Sequence, residues 1–112
     1  MHIYKIFRAD EMASFVASGQ TDGAPIDIED GYIHFSTAQT VAATAAKYFA
    51  GEDGLVLLTL DADALGADLR WEPARGGVLF PHLYRMLVKD DVIAVAELLL
   101  GPDGHVFPDH LA

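Results

Sequence analysis

The segment Asp30-Gly31-Tyr32-Ile33-His34-Phe35-Ser36-Thr37 sets an imidazole among hydroxyl-bearing side chains, immediately ahead of an alanine-rich stretch. On an extended chain Tyr32, His34 and Ser36 fall on one face, with Ile33 and Phe35 on the other. The apolar pair suits a core, so the polar triplet must face water, a pocket or a partner. There His34 could orient a ribose or phosphate, or move a proton near neutral pH. The plain alternative is a structural histidine bonded to backbone. Ser36 or Thr37 can cap the following helix, and a helix N-terminus is also a ready anion site. One hydroxyl can therefore cap while the other meets a ligand.

Two later pieces carry matching chemistry. Arg70-Trp71-Glu72 places a carboxylate beside the single tryptophan. A carboxyl beside an indole can have a raised pKa, and a carboxylate can bond a sugar hydroxyl; the alternative is a surface glutamate paired with Arg70 or Arg75. In Phe80-Pro81-His82-Leu83-Tyr84, His82 and Tyr84 alternate onto one face, and Pro81 favours an edge or loop. Five histidines raise the question of a metal. No HxH or HExxH spacing is present, and His2, His105 and His110 lie near the termini, so no metal site is expected. A Ser-His-acid hydrolase lacks its nucleophile-elbow glycines here.

The elements that position these residues follow from patterning. His2 to Phe7 alternate as a first strand. Asp10 then reads as a cap before Met12, Phe15 and Val16 at helical spacing, and Gly19 ends that helix. Thr21 to Asp30, with Gly23 and Pro25, reads as a loop leading into a strand over Gly31 to Phe35. Val41, Thr44, Ala45, Tyr48 and Phe49 form the apolar stripe of a second helix, stopped at Gly51. Leu55 to Leu60 and Val92 to Leu100 are near-continuous apolar runs, expected to be interior strands covered on both faces. A helical turn over Asp61 to Leu65 precedes a strand around Asp68 to Glu72. Gly101-Pro102-Asp103-Gly104 is a turn, after which His105 to Phe107 return as a short edge strand.

The 112 residues are read as one domain, 1–112, long enough to bury a core. With 52% hydrophobic residues the chain is not disordered. No apolar run nears the roughly 20 residues that span a bilayer. There is no cysteine, hence no disulfide framework or thiolate metal site. The start does not read as a signal peptide, and a cytoplasmic location is expected. A formal net charge of −10 argues against general nucleic-acid binding. The residues carry no signal of oligomeric state.

The order IYKI, DGYIHFSTAQTVAATAAKYF, LVLLTLD, RWE and FPHLY resembles a small bacterial family of unknown function, over nearly the whole chain to about Val95. That family is similar in fold to ADP-ribosyltransferases. The resemblance implies an α+β fold of two small, mostly antiparallel sheets with a cleft between them and two main helices. It also implies that NAD or an ADP-ribose-type ligand occupies the cleft. Lys5 falls at the first-strand position, where some relatives carry histidine; Ser36 and Thr37 fall at the hydroxyl position. Arg85 stands where relatives often have glycine after the tyrosine. The reading that follows is a nucleotide-like ligand bound in a polar cleft, with ADP-ribosyl transfer as the accompanying chemistry. Glu72 and His34 are the candidate catalytic residues. Ser36, Thr37, Trp71, His82, Tyr84 and Lys5 are the candidate ligand-binding residues. The rivals are an inactive binding or regulatory module, and a phosphotransferase or hydrolase using His34 and His82.

Overall fold

The computed structural model describes residues 1–108 and 111, so His110 lies outside the described residues. In chain order the elements are β1 (His2–Phe7), α1 (Ala9–Ser18), β2 (Gln20–Thr21), α2 (Pro25–Asp30), β3 (Ile33–His34), α3 (Val41–Tyr48) and β4 (Leu55–Asp61). They continue with α4 (Ala62–Leu65), β5 (Leu69–Pro73), β6 (Leu79–Leu83), β7 (Leu87–Val88), β8 (Val92–Gly101) and β9 (Gly104–Val106). The result is a mixed α and β fold with antiparallel sheets and, among the described residues, four α-helices. Among the described residues no helix is long and apolar enough to cross a membrane.

The larger sheet runs β1-β4-β8-β9 and the smaller β3-β6-β5, with β2 and β7 forming a two-stranded ribbon. Alternation along β1 sends its side chains to two cores. Tyr4 and Ile6 join Leu55, Leu57 and Leu98 beneath Val41 and Ala45 of α3. Ile3 and Phe7 join Leu58 and Leu60 on the opposite face, where Phe15 of α1 and Ile33, Phe35, Leu69 and Leu83 of the small sheet close over them. Phe7 meets Phe15 edge-to-face at 6.2 Å. Lys5 shares this second face and is buried. A backbone bridge joins the two sheets, where Tyr4 and Ser36 exchange hydrogen bonds of 2.7 and 2.8 Å.

Three expectations are corrected. The stretch read as a loop before His34 contains α2: Pro25 stands in its first turn and Asp27 accepts from the Ala24 N–H at 2.7 Å. Its apolar residues Ile26 and Ile28 are exposed while Asp27 is buried, so no inward apolar stripe announces it. The cap of α1 is Arg8, whose N–H reaches Glu11 at 2.8 Å, not Asp10. The helical turn expected over Asp61 to Leu65 is present as α4, Ala62–Leu65. Finally β8 is not covered on two faces: Leu98 is its one buried residue, because α1 and the small sheet overlie β1 and β4 instead.

Candidate functional site

The small sheet brings the motifs together. His34 on β3 stands directly opposite His82 on β6, and His82 is opposite Arg70 on β5. Alternation turns Trp71, opposite Pro81, to the other face and returns Glu72, two residues on, to the face of Arg70. Two further bonds prolong the pairing, Phe35 N–H to Pro81 at 3.0 Å and Tyr84 N–H to Asp68 at 2.8 Å. A single face thus carries Tyr32, His34, Arg70, Glu72, His82 and Tyr84.

Tyr32 is the centre of this face. Its ring lies 4.3 Å from that of His82, 4.7 Å from His34 and 5.2 Å from Tyr84, all tilted by 33° to 45°. The two imidazoles are edge-on at 5.2 Å. Arg70 lays its guanidinium over Tyr84 at 4.5 Å. His82 is buried under this cover, whereas His34, Glu72, Tyr32 and Tyr84 are partly open to solvent.

Each imidazole has its own carboxylate. Asp27 Oδ1 lies 2.6 Å from His34 Nδ1 and also accepts the His34 backbone N–H at 3.0 Å. Lys5 donates to Asp27 Oδ2 at 2.7 Å and to the His34 carbonyl at 2.8 Å. Burial works against the Asp27 charge, but the bond from His34 and the Lys5 ammonium outweigh it and hold its carboxyl below the usual range. Burial likewise pushes the Lys5 ammonium down, with Asp27 opposing. With Asp27 ionised, His34 Nδ1 carries a hydrogen and donates. His34 Nε2 faces Asp30 at 3.0 Å, and only the doubly protonated ring donates to both carboxylates at once.

The second pair is built on Glu72. Its Oε1 lies 2.8 Å from His82 Nδ1 and accepts the Tyr84 hydroxyl at 2.6 Å. The Tyr84 bond, then the His82 bond, hold the Glu72 carboxyl below its ordinary value. The same bond pushes the Tyr84 phenol up, as partial desolvation does for Tyr32. Among the described residues no cluster of three or more His, Asp or Glu side chains is arranged to hold a metal ion.

His34, Glu72, His82 and Tyr84 therefore meet on one face. The other named residues do not line it. Lys5 lies beneath it. Ser36 and Thr37 are buried and turned toward α3: the Ser36 hydroxyl donates to Thr44 at 3.1 Å, and the Thr37 carbonyl accepts from Val41 at 2.9 Å. Trp71, 38% exposed, is on the far face of β5. Asp27 and Asp30 were missed because the segment holding them reads as loop. The spacing Pro25-Ile26-Asp27, with an acid at the third helical position, is the signal that points to the helix. Two shallow concavities of about 340 and 330 Å³ lie elsewhere, beside Met1 and His2 and between α3 and β9.

A family model described as protein of unknown function (DUF952) matches residues 6–95. The chain is 45% identical to protein CC0527 of Caulobacter crescentus, whose crystal structure covers 99% of this chain and 98% of its own, with a TM-score of 0.94. A crystal structure of a double mutant of that protein gives 44% identity, 99% and 98% coverage and 0.93. Its solution NMR structure gives 45%, 93% and 90%, and 0.83. No curated protein matches the chain.

Proposed function

The chain belongs to the family described as protein of unknown function DUF952, and we propose that it binds a nucleotide-like ligand, of the NAD or ADP-ribose class, on the face around Tyr32. The observation that carries this reading is the ring cluster of Tyr32 with His34, His82 and Tyr84, rimmed by Glu72 and Arg70. Flat π-surfaces suit a base or a nicotinamide ring, worth about 1–3 kcal/mol per stacked base. The carboxylates Glu72 and Asp30 suit ribose hydroxyls. An ADP-ribosyltransferase-like architecture, with its ligand cleft beside the small sheet, belongs to the same proposal.

The chemistry that suits this face is ADP-ribosyl transfer. The bond between ribose C1′ and the nicotinamide nitrogen breaks, and its electron pair leaves with neutral nicotinamide. Glu72, held ionised by His82 and Tyr84, stabilises the positive charge developing on the ribose. An acceptor nucleophile then bonds to C1′ and gives up its proton, which His34 relays. Lys5 takes a supporting part: its ammonium holds Asp27, and Asp27 holds the His34 ring.

A second reading rests on the facing imidazoles. Two histidines, each with Nδ1 against a carboxylate, are the parts of a general acid–base pair acting on a phosphate ester.

The test is thermal stability with NAD, ADP-ribose, nicotinamide and simple nucleotides, followed by nicotinamide release from NAD. A ligand at a hundred times its dissociation constant adds about 2.7 kcal/mol of apparent stability. Glu72→Gln keeps shape and binding but lowers release by a factor on the order of 10²–10⁴. Binding without release by the wild type identifies a binding module. Release unchanged in the variant removes Glu72 from the chemistry.

A further inference from the structure

We propose that two copies of the chain associate through the free edge of β8, joining their larger sheets into one. The inner side of β8 is paired with β4, with Ala94 to Leu98 opposite Thr59 to Leu55. On the outer side β9 reaches only Leu99, Leu100 and Gly101. Among the described residues no strand lies against the outer side of Ala94–Leu98. Among the described residues the outward backbone N–H and C=O groups of that stretch have no backbone partner, and the ligand that satisfies such a row is another extended chain.

Sheet edges are ordinarily blunted by lysine, proline or a bulge. Val92–Gly101 contains no Lys, Arg or Pro, and its one bulge, at Ile93, lies before the open stretch. The exposed side chains are apolar: Val95, Leu99 and Val106, on one face of the ribbon, are 55%, 57% and 57% exposed.

Charge and symmetry select a second copy as the occupant. The chain carries a net charge of −10, yet β8 holds a single carboxylate, Glu97. An acidic copy meets little repulsion here, and a basic partner would find almost nothing to pair with. A two-fold antiparallel ladder centred on Ala96 sets Ala94 against Leu98 and Val95 against Glu97. It uses the whole open stretch of both copies, bounded by the bulge at one end and the β8–β9 hairpin at the other. It also keeps the two Glu97 side chains from standing directly opposite each other. An edge contact of this length falls at the small end of specific interfaces, below about 1,200 Å², so the association is weak and concentration-dependent.

Sedimentation equilibrium of the intact chain, from micromolar to millimolar concentration, tests this. The mass of the wild type rises from 12.1 kDa toward twice that value. Val95→Lys, an edge-blunting change away from the Tyr32 face, stays at the monomer mass with an unchanged melting temperature. Amide exchange at Ala94–Leu98 slows with concentration in the wild type only. A wild type that remains monomeric at millimolar concentration overturns the proposal. So does a variant that associates like the wild type, or a mass that grows past the dimer.

Discussion

His34 stands directly across the β3–β6 ladder from His82, their rings 5.2 Å apart, and each presents Nδ1 to a carboxylate from a different element. Asp27 comes from α2 and Glu72 from β5, so three strands and a helix must be in place before both rings are fixed. A carboxylate on Nδ1 sets which nitrogen carries the hydrogen, and on His34 the remaining Nε2 faces Asp30 at 3.0 Å. The two rings are thus aligned by separate supports on one sheet face.

The deeper support is the buried Lys5–Asp27 pair. Asp27→Asn leaves the Lys5 ammonium without its counter-charge, and removing one partner of a buried pair costs about 3–5 kcal/mol. Chemical denaturation at neutral pH should show that loss, with Lys5→Met in the same background recovering part of it. The pH dependence has a definite sign. The folded-state pKa of Asp27 lies below its unfolded value, so its stabilisation is complete above about pH 4 and is lost as pH falls through the folded value. Wild-type stability should decline over that acid range, and the corresponding part of the decline should be absent in Asp27→Asn.

Tyr84→Phe removes one of the two donors to Glu72 Oε1 and leaves the ring in place. A bond to the ionised form lowers a carboxyl pKa, so its loss must move Glu72 upward toward the ordinary carboxylate range. The side-chain carboxyl carbon of Glu72, followed by NMR through an acid titration, reports this directly. A midpoint equal in wild type and variant would show that the hydroxyl does not govern the acid.

The position of β8 makes a paired prediction about stability. Leu58 is fully buried between the two sheets, whereas Val95, its neighbour across the ladder, is 55% exposed. Leu58→Ala should cost about 2–5 kcal/mol. Val95→Ala should stay within about 0.5 kcal/mol, measured at low protein concentration. Equal losses at the two sites would contradict the one-sided burial of β8.

Much of this was legible from local pattern, and the gaps have physical causes. Alternation put Tyr32 with His34, and His82 with Tyr84, and their rings do meet on one face, although Tyr32 stands at a bend just ahead of β3. It failed at Ser36, where the chain leaves the small sheet and bridges to Tyr4 of the large one. No spacing rule reports that crossover. The apolar run of β8 matches that of β4, yet a run of valine and leucine does not say whether a helix lies over it. In α2 the usual order is reversed, with isoleucines outside and an aspartate inside, since the helix exists to deliver Asp27 to Lys5 and His34. Periodicity finds helices that bury apolar faces, and this one buries a charge.

The most direct test of a ligand site on the Tyr32 face is the histidine ring NMR spectrum during titration with ADP-ribose and with NAD. The His34 and His82 ring signals should move together and saturate at one dissociation constant, while those of His2 and His105 stay fixed. Displacement confined to His2 or His105, or no displacement at any histidine at millimolar ligand, would contradict such a site.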